Sequence, residues 1–318
     1  MSDVGHVLVL AGGLSYEREV SLRSGRRVSE VLRAAGIDVE TRDTDASLVP
    51  SILADPPDAV FVTLHGGAGE DGAIRSVLEL LNVPYVGADP DACRAAFDKP
   101  TAKAAVRSVG LPTPESVTLP KETFHDLGAT VVLGRIVERL GLPLFVKPAR
   151  GGSALGASMV RTAEELPAAM VGCFAYGDTA LIERYVEGVE VALSVVDYGN
   201  GPVALPAVEI VPDGGVYDYA ARYTAGRTEF FAPARLSPEA AAACAEAAVT
   251  AHTALGLRDI SRTDLIVDAA DQPHFLEVNV APGMTETSLF PMAVEAAGQD
   301  LGDLCRTLLR NVANRATR

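Results

Sequence analysis

The sequence predicts an α/β protein: a parallel-sheet domain at the N-terminus, followed by two units built around antiparallel hairpins. Two observations carry this. Between residues 4 and 90, short apolar runs alternate with stretches of helical period, the β-α-β-α-β-α-β order of an open parallel sheet. Further on, apolar runs are joined by glycine-rich or polar turns, as hairpins are.

In order, His6–Ala11 is a strand and 12–16 a tight loop; a helix follows through Val20, Val28, Val31 and Leu32. Residues 37–41 and 59–64 are strands, the second apolar enough for burial on both faces. A helix over 72–81 and a short strand at 84–87 complete the first unit. The second opens with a helix from Asp91 to Val109, where Pro100 allows a restart. Residues 116–119 are extended, 121–130 form a loop and 129–140 a helix. Residues 144–148 and 157–161 are strands around the flexible loop 149–156. In the third unit 189–197 and 203–211 are antiparallel strands, and 212–233 is a long polar, aromatic loop of the kind that serves as a lid. A helix over 238–255, a hairpin of 262–268 with 273–280, the loop 282–288 and two helices end the chain. The expected blocks are 1–92, 93–184 and 185–318.

The 318 residues suggest two or three cores, and a hydrophobic share of 48% excludes a disordered chain. The net charge of −15 argues against a nucleic-acid partner, since a polyanion is bound by clustered cations. Only four of the 27 basic residues are lysines: Lys99, Lys103, Lys121 and Lys147. No signal peptide or membrane span is expected, because no apolar stretch reaches the roughly 18–20 residues a bilayer needs. Cys93, Cys173, Cys244 and Cys305 lack metal or redox spacing and are expected to be reduced and buried, which makes the cytoplasm the expected location.

Four features bear chemistry. Lys147-Pro148 leads into Arg150-Gly151-Gly152-Ser153-Ala154-Leu155-Gly156, whose backbone N–H groups could approach phosphate oxygens beside a fixed cation. An ordinary glycine turn fits the same residues. Asp264 on one strand, with Glu277 and Asn279 two apart on its partner, shares one sheet face and suits Mg²⁺ with phosphate oxygens; Leu276, Val278 and Val280 are expected on the opposite face. A solvated polar face is the alternative. Together, loop and acidic face could clamp a nucleotide between two units. Glu183 and Glu190 flank their junction; alone they read as surface acids at a hinge, but a clamped nucleotide would bring its ribose there. His65 ends a buried strand at the carboxyl edge of the first sheet, where ligands of such sheets bind, though a structural role is equally open.

With these residues in view, the sequence resembles the D-alanine–D-alanine ligase family. The similarity lies in residues 11–21 (AGGLSYEREVS), in Leu64-His65-Gly66 through Gly72, and in Val146-Lys147-Pro148, Leu181-Ile182-Glu183, Tyr217-Asp218-Tyr219, Arg262-Thr263-Asp264 and Leu276-Glu277-Val278-Asn279 with Pro282-Gly283-Met284-Thr285. It is collinear over about residues 6–310. It implies the ATP-grasp fold, with ATP between the central and C-terminal units and two Mg²⁺ or Mn²⁺ ions on Asp264, Glu277 and Asn279. Lys99, Lys147 and Arg222 match nucleotide-phosphate contacts; Glu183, Tyr185, Val186 and Glu190 match adenine and ribose contacts. Glu17, Val20 and His65 match the first D-alanine subsite, Arg262 and the N–H of Gly283 the oxyanion site, and Ser288 and Leu289 the second subsite. Glu17, Ser153 and Tyr223 match a triad that closes 212–233 over the site. The implied reaction makes D-alanyl-D-alanine through a D-alanyl phosphate, for peptidoglycan precursors, in a cytoplasmic homodimer whose partners are small molecules.

Departures from the family pattern include Arg222 for lysine and Val280-Ala281 for Thr-Ser. They motivate a second reading, the same chemistry with D-serine, D-lactate or another D-amino acid as acceptor. A third, an ATP-responsive binding module, conflicts with the matches at Glu17, Arg262 and the acidic face.

Overall fold

Three sheets, each drawn from one stretch of chain, organise the molecule, seen here in a computed structural model that describes residues 4–215, 217, 221, 222, 224 and 226–316. The first is the expected parallel sheet, in the order β2 (Asp38–Arg42), β1 (His6–Leu10), β3 (Ala59–Val62), β4 (Tyr85–Val86). Its crossovers are α1 (Arg18–Ala34), α2 (Leu48–Ala54) and α3 (Ala73–Leu80). All of β3 is buried, as its unbroken apolar run requires.

Two short helices follow instead of one. Pro100 has no N–H to continue the ladder, so the chain extends at Asp98 and restarts. Asp89 caps α4 (Pro90–Phe97) by accepting from the Ala92 N–H, and Asp98 caps α5 (Lys99–Ser108) by accepting from the Thr101 N–H. Both pack on the third sheet: Cys93, Ala96, Ala102 and Val106 share a core with Val191, Leu193 and Phe275.

The second sheet is antiparallel, in the order β5 (Ser116–Pro120), β8 (Thr179–Arg184), β6 (Leu144–Pro148), β7 (Ser158–Val160). It has its own core with α6 (Lys121–Leu127), α7 (Ala129–Leu140) and α8 (Leu166–Phe174). The expected loop at 121–130 is corrected here: most of it is α6. Its weak helical pattern is overridden by burial of Phe124, whose ring lies 5.8 Å from that of Phe174.

The third sheet runs β12 (Thr228–Phe231), β11 (Val208–Pro212), β9 (Val189–Asp197), β13 (Ile260–Val267), β14 (Pro273–Asn279), with β10 (Pro202–Ala204) also on β9. The strand expected over 203–211 is split, because Pro206 interrupts it and cannot donate to a ladder. The stretch 212–233 is not all loop, since β12 pairs with β11 at its end. One face carries α9 (Pro238–Ala254). The other meets α10 (Leu289–Ala296) and α11 (Leu301–Ala316) in a core that continues to Val7, Val9 and Phe61 of the first sheet. The four cysteines are buried and free. Among the described residues no helix is long and apolar enough to cross a membrane.

A register shift in the last hairpin matters for the site. Asp264 pairs with Glu277, but Leu265 pairs with Phe275, so Leu276 is an extra residue on its strand. Strict alternation would turn Phe275 with Glu277. The bulge instead puts Phe275 into the core with Val278 and Val280. Leu276, expected on that opposite face, lines the same cleft as Glu277.

Candidate active site

A cleft of about 370 Å³ lies between the second and third sheets. Lys147 at the end of β6, the 150–157 loop and Glu183 at the end of β8 form one wall. Tyr185, Val186 and Glu190 form the connection, and Arg222, Asp264 and Glu277 the far wall. Ile266, Leu276 and Val186 give it an apolar portion and Lys99, Lys147 and Arg222 a polar end, which suits a planar base joined to phosphates. The glycine-rich loop is tied down from below: the Lys99 ammonium donates to the Gly151 carbonyl at 2.7 Å, and Arg150 Nε to Asp98 at 2.8 Å.

Charge in the cleft is tightly paired. Glu183 is 2% exposed and holds Lys103 through Oε1 and Lys147 through Oε2, the latter at 2.7 Å. The hinge-acid reading of Glu183 is thereby overturned, since an ion held by two lysines is interior machinery. Burial pushes the Lys147 ammonium down, but Glu183, Glu277 and Glu190 more than reverse this and its pKa is raised. Glu277 lies 3.4 Å from Lys99. Burial disfavours its ionised form, yet Lys99, Lys147, Arg222 and Arg262 bring its pKa to about 2. Burial lifts Glu190 to about 7, opposed by Arg222 and reinforced by Asp264 and Glu277. The Arg222 guanidinium stacks 4.2 Å over the Tyr217 ring.

A second, more polar cavity of about 170 Å³ opens beside the first. It is lined by Glu17, Val20, His65, Ser153, Arg262, Asn279, Gly283, Ser288 and Leu289, all expected site residues. Lys99, Arg222 and Glu277 line both spaces, so the two meet at a charged seam. Glu17 is seated between two glycines: a Cβ on Gly66 would come 2.3 Å from Oε2, and one on Gly152 2.9 Å from Oε1. Gly66 also has a φ of +67°, which side chains resist. Arg262 grips Asp264 with a fork, Nε to Oδ1 at 2.7 Å and Nη2 to Oδ2 at 2.9 Å. Ser288 immediately precedes α10, and its Oγ accepts from the Thr285 N–H at 3.0 Å.

His65 is settled by its hydrogen bonds. Nδ1 can only donate to the Ala281 carbonyl, at 3.0 Å, so Nε2 accepts from the Ser24 hydroxyl at 2.9 Å. The Ser24 oxygen in turn accepts from the Met284 N–H at 3.1 Å. Burial holds the ring neutral, with a pKa of about 4 despite the Ala281 bond. Its nitrogens thus brace the 281–284 turn against α1 while the ring faces the cavity.

Of the expected site residues, Tyr223 lies outside the described residues, as do Asp218 and Tyr219 of the aromatic motif. Ser153 lines the second cavity with a φ of +54°. Among the described residues, no three His, Cys, Asp or Glu side chains converge as a ready-made metal cage. Two residues escaped the sequence reading. Lys103 is one, although its spacing of four from Lys99 on a helix was a usable signal. The other is Glu70, which lines the second cavity. Burial lifts its pKa to about 7, against a Gly66 backbone hydrogen bond and with help from Glu17.

The Glu70 shift has a measurable consequence. The folded state holds its proton up to about pH 7, whereas the unfolded chain releases it near the ordinary 4.5. Ionised Glu70 therefore weakens the fold increasingly as pH rises through that window, by up to about 3 kcal/mol. Glu70→Gln is expected to gain melting temperature relative to the parent at pH 8 and to lose that advantage at pH 4. Paired thermal melts check it, and a difference independent of pH contradicts it.

Comparison with known proteins agrees with this geometry. The family descriptions "D-ala D-ala ligase N-terminus" and "D-ala D-ala ligase C-terminus" match residues 37–88 and 105–310. The D-alanine–D-alanine ligase of Bordetella avium is 40% identical over 309 residues, 97% of this chain and 95% of that protein. That of Anaeromyxobacter sp. strain K is 41% identical over 310 residues, 98% and 97% of the two chains. Among solved structures, the D-alanyl-alanine synthetase A of Vibrio cholerae superposes with a TM-score of 0.86 at 25% identity, covering 99% of this chain and 100% of that one. The VanG D-Ala:D-Ser ligase of Enterococcus faecalis gives 0.83 at 28%, covering 96% and 99%. A Bacillus anthracis D-alanine–D-alanine ligase complexed with ATP gives 0.79 at 27%, covering 98% and 97%. A clamp between two antiparallel sheets, opening at a charged seam into a polar cavity, defines an ATP-dependent ligase of the ATP-grasp fold. The chain belongs to the D-alanine–D-alanine ligase family.

Proposed function

We propose that this chain joins two D-alanine molecules into D-alanyl-D-alanine with ATP, by way of D-alanyl phosphate, and so supplies peptidoglycan precursors. Cytoplasmic location and a homodimer, implied by the family, belong to the same reading. The observation that carries it is the meeting of the two cavities at Lys99, Arg222 and Glu277. A γ-phosphate at the end of the larger cleft would face a carboxylate held in the smaller one.

Asp264 and Glu277 face each other across the hairpin and offer hard oxygen donors at the phosphate end, with the Asn279 amide two strand pairs further on. That donor set fits Mg²⁺ or Mn²⁺. When bound, such ions neutralise phosphate charge. The chain's own groups account for the rest. Glu17 pairs with the ammonium of the first D-alanine. A carboxylate oxygen attacks the γ-phosphorus, and ADP leaves with the electron pair of the broken P–O bond. Lys99, Lys147 and Arg222 hold the transferred charge. The neutral amine of the second D-alanine then attacks the acyl carbon, and the proton its nitrogen loses goes to the departing phosphate. The Nη1 edge of Arg262, outside its fork to Asp264, and the Gly283 N–H receive the oxyanion. Phosphate departs with the bridging oxygen. Ser288 and Leu289 hold the second carboxylate.

D-alanine is favoured as the acceptor. Val280 and Ala281 depart from the family pattern, but they are 3% exposed and line neither cavity. Phosphate release and product mass, measured with D-alanine, D-serine and D-lactate as competing acceptors, test the reading. D-alanyl-D-alanine is expected as the main product at neutral pH, and preference for another acceptor overturns it.

A further inference from the structure

Lys103 is the least expected of the buried charges. Its side chain is 2% exposed, and it lines neither cavity. Its ammonium donates to the Pro114 carbonyl at 3.0 Å and to Glu183 Oε1, while the other Glu183 oxygen takes Lys147. Lys147 lines the nucleotide cleft. A buried ion of this kind is retained only at a desolvation cost, so its position calls for a reason.

Counting charge supplies one. Along the contacts Lys103–Glu183–Lys147 and Glu277–Lys99, three ammonium groups face two carboxylates. One positive charge is left over, and only Lys147 and Lys99 can present it to a ligand, because Lys103 lies behind Glu183. If Glu183 faced Lys147 alone, the pair would be neutral and Lys147 would be drawn toward the carboxylate. We propose that Lys103 is a positioning residue of the nucleotide site: by satisfying one oxygen of Glu183, it lets the other orient Lys147 without neutralising it, so that Lys147 keeps its charge for the triphosphate. The same contact, with the bond to Pro114, fixes α5 to the edge of the second sheet, which aligns Lys99 at the start of that helix with Lys147 on β6. Burial lowers the Lys103 pKa to about 8, and Glu183 limits the drop, so the group is charged at neutral pH.

This inference rests on the nucleotide reading of the larger cleft, and its test separates the two. Inorganic tripolyphosphate serves as the probe, because it carries the charge of ATP without base or ribose contacts to Glu183. Binding to the full chain is measured by calorimetry for the parent, Lys103→Met and Lys103→Met/Glu183→Gln, with ATP and D-alanine KM alongside. Lys103→Met is expected to weaken tripolyphosphate binding and raise the ATP KM by about tenfold or more, the scale of one charge-assisted contact, with the D-alanine KM changed by less than about twofold. The double variant restores the left-over positive charge, so it is expected to bind tripolyphosphate more tightly than Lys103→Met. A purely structural lysine gives no such recovery. Unchanged binding in Lys103→Met, or a double variant no tighter than the single, overturns the proposal while the nucleotide reading stands. A parent chain that binds neither ATP nor tripolyphosphate overturns both.

Discussion

Arg262→Met is expected to lower dipeptide formation by about a hundred- to a thousandfold, the range for removing a donor from an oxyanion site. The effect reaches beyond the reacting oxygen. Arg262 is 8% exposed and is forked onto Asp264, which is 5% exposed. Burial alone would lower the arginine's affinity for its proton; Asp264 raises it well above the ordinary value. Without the guanidinium, Asp264 is left as a buried anion opposite Glu277, at a cost of about 3–5 kcal/mol. The variant should therefore lose both rate and denaturation midpoint. Arg262→Lys separates the two: an ammonium keeps the charge but not the planar fork, so stability should largely return while rate does not. Phosphate release and urea melts on both variants check this, and a lysine variant with full activity rules out the forked geometry as the requirement.

Glu277→Gln is the second large effect, expected in turnover and in acid stability together. The carboxylate stands at the seam of the two cavities, held near pKa 2 by Lys99, Lys147, Arg222 and Arg262 against the opposing effect of burial. Its folded pKa lies below the ordinary 4.5, so its contribution is fully present above that value and is lost as pH falls toward about 2. The size is up to about 3 kcal/mol before screening by water. Glutamine cannot supply it, so the variant should melt earlier at pH 7 and converge with the parent near pH 2. Turnover should fall by about a hundredfold or more, and the Mg²⁺ concentration for half-maximal rate should rise, since a charged oxygen donor is gone. An unchanged Mg²⁺ dependence removes Glu277 from the metal set.

Much of the site was legible because its residues sit in short segments with local rules. A glycine loop after a strand-end lysine, an acid and an amide two apart on a strand and a histidine at a strand's carboxyl end are patterns a linear reading can hold. The elements that misled were those where a distant contact overrode a local preference. Residues 121–127 read as loop until Phe124 met Phe174. Leu276 read as a core residue until the bulge turned it into the cleft. Taken alone, Glu183 read as a hinge acid, because both of its partners lie far away in the chain, Lys103 80 residues before it on a different element.

The sequence by itself determined most of the order of the elements, the parallel sheet of the first unit, the hairpins of the other two and the collinear set of segments that carries the family resemblance. Each of these depends on periodicity or spacing within a few residues. Only the tertiary structure decided which charges neutralise one another and which are left for a ligand. It showed that Lys99 and Lys147 line the cleft while Lys103, lining neither cavity, shares Glu183 with Lys147. It also set the tautomer of His65, through a carbonyl 216 residues away. The physical reason is that hydrogen bonding and ion pairing are decided by distance in space, and in the buried interior each such pairing also decides whether a group carries charge at all.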